Sequence, residues 1–227
     1  IDNLIKANKW VRAGGAANDI GSGPNGKTWV IGTNKEGGGY GIYRWDGKWA
    51  KIGGSAVRID VGPGGHGFVV NNKGNIYRHD GKKWHQTPGG AKDIGVGANG
   101  KVWVIGTNKE GGGYGIYRWD NKWTKIGGSA VRIDVDPEGN AWVVNNKGNI
   151  YRYDGKKWIQ APGRAKDIGI SANGAVMVIG TDDRPYIWNG KARQITVDRN
   201  GNPWVVNAGQ AIYAWDKAAK LKASKQI

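Results

Sequence analysis

The side chains best suited to chemistry recur in this sequence. Asn34-Lys35-Glu36-Gly37-Gly38-Gly39-Tyr40 returns 74 residues later as Asn108-Lys109-Glu110-Gly111-Gly112-Gly113-Tyr114. Between and after them lie Asn71-Asn72-Lys73-Gly74 and Asn145-Asn146-Lys147-Gly148, and all four read as flexible loops between the second and third strands of their repeats. Amide and charged groups suit the paired hydroxyls of a sugar, since they donate and accept in fixed geometry. An aromatic face suits the C–H side of the same ring, and glycine lets a ligand approach the backbone. The predicted ligand-binding residues are therefore Asn34, Lys35, Glu36, Tyr40, Asn108, Lys109, Glu110, Tyr114, Asn72, Lys73, Asn146 and Lys147. Trp45 and Trp119 lead a second candidate stacking set that includes Trp188, Trp215 and Tyr153.

Other chemistries find little support. The three histidines, His66, His79 and His85, fall in one repeat, and the equivalent positions in the next related repeat are Asn140, Tyr153 and Ile159. A metal or acid–base site built into the repeat would not vanish from one copy to the next. The five serines include none in a nucleophile elbow. With no cysteine, disulfides, thiolate metal sites and cysteine nucleophiles are excluded. Asp136-Pro137-Glu138-Gly139-Asn140 and Asp198-Arg199-Asn200-Gly201-Asn202 resemble a calcium loop only in part, because the closing glutamate is missing; each reads better as an Asx-turn in a hairpin. No catalytic residue, metal site or cofactor is expected.

Charge points to a class of partner. Lysine and arginine number 34 against 18 acidic residues, a formal net charge of +16. Lys48, Lys82, Lys83, Lys122, Lys156, Lys157 and Lys191 recur at one rim of the repeats, and the tail 217–227 adds Lys217, Lys220, Lys222 and Lys225. Such a field attracts acidic polysaccharide, lipopolysaccharide or phospholipid headgroups, so contact with a membrane surface is open to it. No nucleic-acid motif is present and the charge follows the repeats rather than one groove, so no specific nucleic-acid partner is expected. No apolar run reaches the length of a membrane span. The chain opens on Ile1 rather than methionine and lacks a signal-peptide pattern, which suggests a processed form or part of a longer chain. The compartment stays open between the extracellular or cell surface and the cytosol, and no N-x-S/T sequon occurs.

The elements that must position these residues follow from the repeat. Residues 10–48 and 84–122 agree at 29 of 39 positions, and 49–83 and 123–157 at 28 of 35. Each 74-residue unit contains two related halves, giving six copies that begin near 10, 49, 84, 123, 158 and 192. Every copy reads as four short strands. Alternating Trp, Tyr, Val and Ile fill them, and Asn-Gly or Asp-Gly pairs turn them. Repeated antiparallel four-stranded units of 35–45 residues specify an all-β, six-bladed β-propeller over 1–216 with a basic tail at 217–227. The last copy offers three strands, so the segment around Trp10 is expected to supply its fourth and close the ring.

Nine tryptophans at two recurrent positions are expected between blades: Trp29, Trp103, Trp142 and Trp204, then Trp10, Trp49, Trp84, Trp123 and Trp158. Ala192 replaces the second kind in the fifth blade, which should be the loosest. First-strand residues Asp19, Arg58, Asp93, Arg132, Asp167 and Gln194 predict a ring of alternating charge. Third-strand Arg44, Arg78, Arg118 and Arg152 are further candidates for pairing across blades.

The pattern from Trp123 to Trp158, including WVVNNKGNIYRYDGKKW, resembles the tectonin repeat. The resemblance covers about residues 10 to 216. It implies a six-bladed propeller and, as in stand-alone tectonin lectins of slime moulds, fungi, horseshoe-crab plasma and fish eggs, binding of glycans on microbial or other cell surfaces. Other family members are scaffolding domains of larger proteins. Two departures stand out: the fifth copy lacks the Gly-Gly linker, and the disulfides of extracellular animal members cannot form here. The expected function is a multivalent, non-enzymatic carbohydrate-binding protein favouring acidic or lipopolysaccharide-type glycans; the alternative is a protein-interaction scaffold domain.

Overall fold

The computed structural model describes residues 14–188 and the backbone of three further strands, 192–197, 203–207 and 212–214. All described regular structure is antiparallel β-sheet. The first blade is β1 (Ala17–Ser22), β2 (Thr28–Glu36), β3 (Gly39–Trp45) and β4 (Trp49–Ala56), hydrogen-bonded in that order. The second comprises β5 (Arg58–Val61), β6 (Gly67–Val70), β7 (Asn75–His79) and the start of β8 (Trp84–Val96). Strand β8 runs on. Its first half pairs with β7 and its second half with β9 (Val102–Glu110), so one strand closes the second blade and opens the third. The third blade continues with β10 (Gly113–Trp119) and β11 (Trp123–Ala130).

The arrangement then repeats. Strands β12 (Arg132–Val135), β13 (Ala141–Val144) and β14 (Asn149–Tyr153) form the fourth blade with the start of β15 (Trp158–Ile170). The rest of β15 joins β16 (Val176–Gly180) and β17 (Pro185–Trp188) as the fifth. Residues 15–187 make one compact unit. A second unit holds the three-stranded sheet β18 (Ala192–Val197), β19 (Pro203–Asn207) and β20 (Ile212–Ala214). Ala192 begins β18, where it pairs with Asn207. The expected closing segment around Trp10, the side chains of Trp188, Trp204 and Trp215, and the tail from 217 lie outside the described residues.

Turn chemistry behaves as the sequence predicts. Gly100 in the Asn99-Gly100 turn has φ 84°, and Asn121 takes over the task of Gly47 with φ 61°. The expected 34–40 loop is absent as such. Strand β2 runs to Glu36 and β3 starts at Gly39, with Lys35 paired to Tyr40, so the glycines form a tight hairpin turn instead. The same holds for Lys109 and Tyr114. Asn34, Lys35 and Glu36 are thus strand residues held in register.

Packing lies between blades. Where blades 1 and 2 meet, Trp29, Ile31, Ile42, Ala56, Ile59, Val61 and Val69 form one apolar layer, and Tyr40, Ile52, Tyr77 and Trp84 edge it. Blades 3 and 4 meet around Trp103 with the corresponding set. Trp29 and Trp103 are completely buried, and their indole N–H groups donate to the carbonyls of Gly65 and Gly139 in the next blade, both at 3.0 Å. Trp84 and Trp158 donate back to Gly53 and Gly127. Each such tryptophan combines apolar burial with a satisfied polar tip, which stabilises and orients the contact.

The first strands add polar staples. The Asp19 carboxylate accepts from Ile59 N–H, Asp60 from Val96, Asp93 from Ile133 and Asp134 from Ile170, each reaching the next blade. Arg58 stands between Asp19 (3.9 Å) and Asp93 (3.6 Å), and Arg132 reaches Asp167 at 3.5 Å. The alternating charge read from the sequence is therefore present from Asp19 to Asp167. The third-strand arginines do otherwise than expected: Arg44 pairs with Asp46, Arg118 with Asp120 and Arg152 with Asp136, each inside its own blade.

Candidate functional site

The β2–β3 hairpin of blade 1 presents a different surface on each side. On one side, Asn34 Nδ2 donates to Glu36 Oε1 at 2.7 Å, and Tyr43 OH donates to Asn34 Oδ1 at 3.0 Å. Lys51 on β4 reaches Glu36 Oε1 at 2.6 Å. Asn108, Glu110, Tyr117 and Lys125 repeat the arrangement on blade 3 at 2.6, 2.9 and 2.6 Å. The carboxylates hold Lys51 and Lys125 protonated above the usual lysine range. Each quartet is solvent-facing, and after its internal bonds it keeps free ammonium and amide hydrogens and a carboxylate oxygen. It is a ready-made set of donors and acceptors.

Glycine makes these quartets possible. A Cβ at Gly32 or Gly106 would lie 2.8 or 2.7 Å from the Tyr43 or Tyr117 ring, so the ring can lie flat over the strand only above hydrogen. Blade 5 shows a reduced form: Tyr186 OH donates to Asp182 at 2.7 Å, with its ring over Gly180. Tyr43, Tyr117, Lys51 and Lys125 were not among the predicted residues. The recurring nine-residue spacing from Asn34 to Tyr43 and from Asn108 to Tyr117 is the signal that would have found them.

On the other side of the hairpin, between blades 1 and 2, a cleft of about 240 Å³ opens. Gly38, Ile42, Gly54, Ser55, Val69, Asn71, Tyr77 and Trp84 line it. Residues 74 positions further on are Gly112, Ile116, Gly128, Ser129, Val143, Asn145, Tyr151 and Trp158, identical at all eight places. Their hydrogen bonds repeat too. Ser55 and Ser129 hydroxyls accept from Gly38 and Gly112 N–H, while Asn72 and Asn146 N–H donate to the Gly38 and Gly112 carbonyls. The structure thus brings the odd-blade hairpins and the Asn72 and Asn146 turns together, as pairs. Asn71 and Asn145 are turn-formers, each accepting two backbone N–H groups through Oδ1.

The remaining predicted residues separate. Lys35, Lys73, Lys109 and Lys147 are exposed on the hairpins and turns. Tyr40 and Tyr114 are half-buried and pack against the apolar layers, and Lys92 lies over the Tyr114 ring. Trp45 and Trp119 sit at the opposite end of the blades, edge-on to Trp49 and Trp123 at 4.9 Å, with Trp45 37% exposed. Tyr153 is buried between Trp103 and Trp158 and offers no stacking face.

A third concave feature lies along the first strands, a pocket of about 250 Å³ lined by Asp19, Arg58, Asp60, Asp93, Arg132, Asp134 and Asp167. Burial raises Asp19 to about 6 and Asp60 and Asp93 to about 7. Asp134 is raised well above the ordinary range by burial and then by the neighbouring Asp60. These carboxylates are committed to the staples between blades. Asp136 Oδ1 accepts from Asn140 N–H in the expected Asx-type turn, and the described residues hold no cluster of metal-ligating side chains.

The likeness to known proteins agrees with the repeat. The tectonin domain model matches residues 55–120 and 104–192. Tectonin-1 of Physarum polycephalum is 43% identical over 51 residues, 22% of this chain and 21% of that protein. Tectonin-2 of the same organism is 45% identical over 51 residues, 22% of this chain and 13% of that protein. The matched stretch is therefore about a fifth or less of either relative. Among solved structures, the extracellular domain of a putative hybrid two-component system from B. thetaiotaomicron aligns over 92% of this chain and 35% of that one, at 15% identity and TM-score 0.48. YCF48 bound to D1 peptide aligns over 83% and 74%, at 15% identity and TM-score 0.46. The repeated blades and the family match together place this chain in the tectonin-domain family, a lectin-type β-propeller group.

Proposed function

We propose that this protein is a multivalent, non-enzymatic carbohydrate-binding propeller of six blades, its ligands glycans on microbial or other cell surfaces. The observation that carries this reading is the duplication of one hairpin with two usable sides. Each copy has a polar quartet on one side; on the other the first opens into a cleft walled by tyrosine and tryptophan, and all eight of its lining residues recur 74 positions on. Weak sites repeated on one rigid body gain avidity on a repetitive surface. The net charge of +16 favours acidic glycans and lipopolysaccharide over neutral ones by long-range attraction.

The test is a glycan array probed at low and high salt with wild-type protein and with the exposed double variant Asn34→Ala/Asn108→Ala. Binding that survives high salt and falls in the variant supports the proposal. Signals that disappear with salt on every polyanion would reduce it to charge alone. An array with no binding at either salt would overturn it and favour a protein-interaction scaffold.

A further inference from the structure

The contact between blades 2 and 3 breaks the pattern of its neighbours at the end opposite the hairpin sites. Where Trp29, Trp103 and Trp142 stand in blades 1, 3 and 4, blade 2 has Phe68. The smaller ring leaves a cavity of about 440 Å³ walled by Phe68, Ile76, Trp119 and Trp123, with Arg78 and His85 on its polar side. That volume is within the range of small-ligand sites, which are mostly apolar with a few placed polar groups.

Its arginine is also exceptional. Arg44 lies over Trp29 and pairs with Asp46, Arg118 lies over Trp103 and pairs with Asp120, and Arg152 lies over Trp142 and pairs with Asp136. Arg78, among the described residues, pairs with no carboxylate. The reasons are local. The position of Asp136 is taken by Gly62 in blade 2. Asp80 is occupied by Lys82 and Lys83 N–H and by His85 Nε2, all at 2.5–2.8 Å. A guanidinium without a counter-charge beside an aromatic-walled cavity is complementary to an anion on a ring-sized body.

We propose that this cavity is a second binding site, separate from the hairpin clefts, which takes a single anionic pyranose. Its carboxylate or phosphate sits on Arg78 and its C–H face lies against the Trp119, Trp123 and Phe68 rings. Among the described residues the cavity is particular to this blade pair: the corresponding residues one unit on are Trp142 for Phe68 and Ile159 for His85, so the site does not recur there.

The experiment follows the indole N–H signals of the full chain by two-dimensional NMR during titration with glucuronate, glucose 6-phosphate, neutral glucose and inorganic phosphate. Saturable shifts with one or both acidic sugars, at least tenfold stronger than with glucose or with phosphate alone, are expected. The two acidic arms distinguish carboxylate from phosphate. Arg78→Met should weaken the binding at least tenfold, and Phe68→Trp, which fills the cavity with the residue of the other blades, should abolish it while keeping the arginine. Both variants should leave array binding at the hairpin face unchanged, so loss of one site is read separately from loss of the other. Absence of saturable shifts, equal response to glucose, or wild-type affinity in Arg78→Met would overturn the proposal.

Discussion

The contact between blades 3 and 4 and that between blades 2 and 3 are built from the same repeat to different ends. In the first, Trp103 fills the space completely, its N–H reaches Gly139 in the next blade, and Arg118 covers its face while pairing with Asp120. In the second, Phe68 has no N–H to offer, Arg78 has no acid among the described residues, and a cavity remains. One contact is closed by a side chain that satisfies both apolar and polar demands. The other is packed around Val70, Ile76, Ile94 and Val104 but keeps a charged recess at its Phe68 end. Repetition supplies the scaffold, and departures from it mark where a chain has room for something of its own.

Truncation should expose this difference most strongly. Trp103→Ala removes a fully buried indole and its bond to Gly139, and should cost about 3–5 kcal/mol in urea unfolding. Phe68→Ala enlarges a space that already exists and removes no hydrogen bond, so its cost should be about half as large. Equal losses would mean that the two contacts are equally packed and that the cavity between blades 2 and 3 has no energetic consequence.

A smaller effect is expected at the quartets. Gly106→Ala places a methyl 2.7 Å from the Tyr117 ring, which can move only by giving up its bond to Asn108. Overpacking of this kind costs about 1–3 kcal/mol. Gly32→Ala should behave alike through Tyr43, and both should lower glycan binding on the array more than stability alone accounts for. Unchanged binding would separate the tyrosines from the ligand site and leave the clefts to carry it.

Much of this was legible in the residues. A 74-residue period, Asn-Gly turns and alternating aromatics specify antiparallel blades, and the Asp19–Arg58–Asp93–Arg132–Asp167 sequence specified the charge alternation. The site was legible only in part. Asn34 and Glu36 stand out by type. Their partners Tyr43 and Lys51 are on other strands, and the pairing is set by bulges between Ile31 and Lys35 and between Gly41 and Ile42 that no local pattern fixes. The glycine run suggested a loose loop because glycine permits one. The structure uses it for a tight turn, and Tyr40, expected to bind ligand, packs against the apolar layer. The difference between Arg78 and its three counterparts was hidden for another reason: the sequence shows four arginines, and only the distances show which of them have acids.

The smallest effect concerns pH, where the two tryptophan-closed contacts differ in one titratable group, His79 between blades 1 and 2 standing where Tyr153 stands between blades 3 and 4. Asp19, Asp60, Asp93 and Asp134 are all raised by burial above the 3.8 of an ordinary aspartate, to about 6 or 7 for the first three. Between pH 4 and 7 the folded chain therefore binds protons that the unfolded chain has released, and stability falls as pH rises through that window. Arg58 and Arg132 moderate the fall by favouring the ionised forms. His79 acts in the opposite sense. Burial lowers it below the ordinary histidine value of 6.5, so the unfolded chain takes up a proton first on acidification and stability falls as pH drops below that value. Four carboxylates against one imidazole give a melting temperature a few degrees higher at pH 5 than at pH 8. His79→Tyr, which installs the residue of the other contact, should widen that gap, and Asp60→Asn should narrow it. If His79→Tyr melted no higher at pH 5 than at pH 8, the carboxylates would be ionised without cost, and the staples between blades would be as well solvated as surface aspartates.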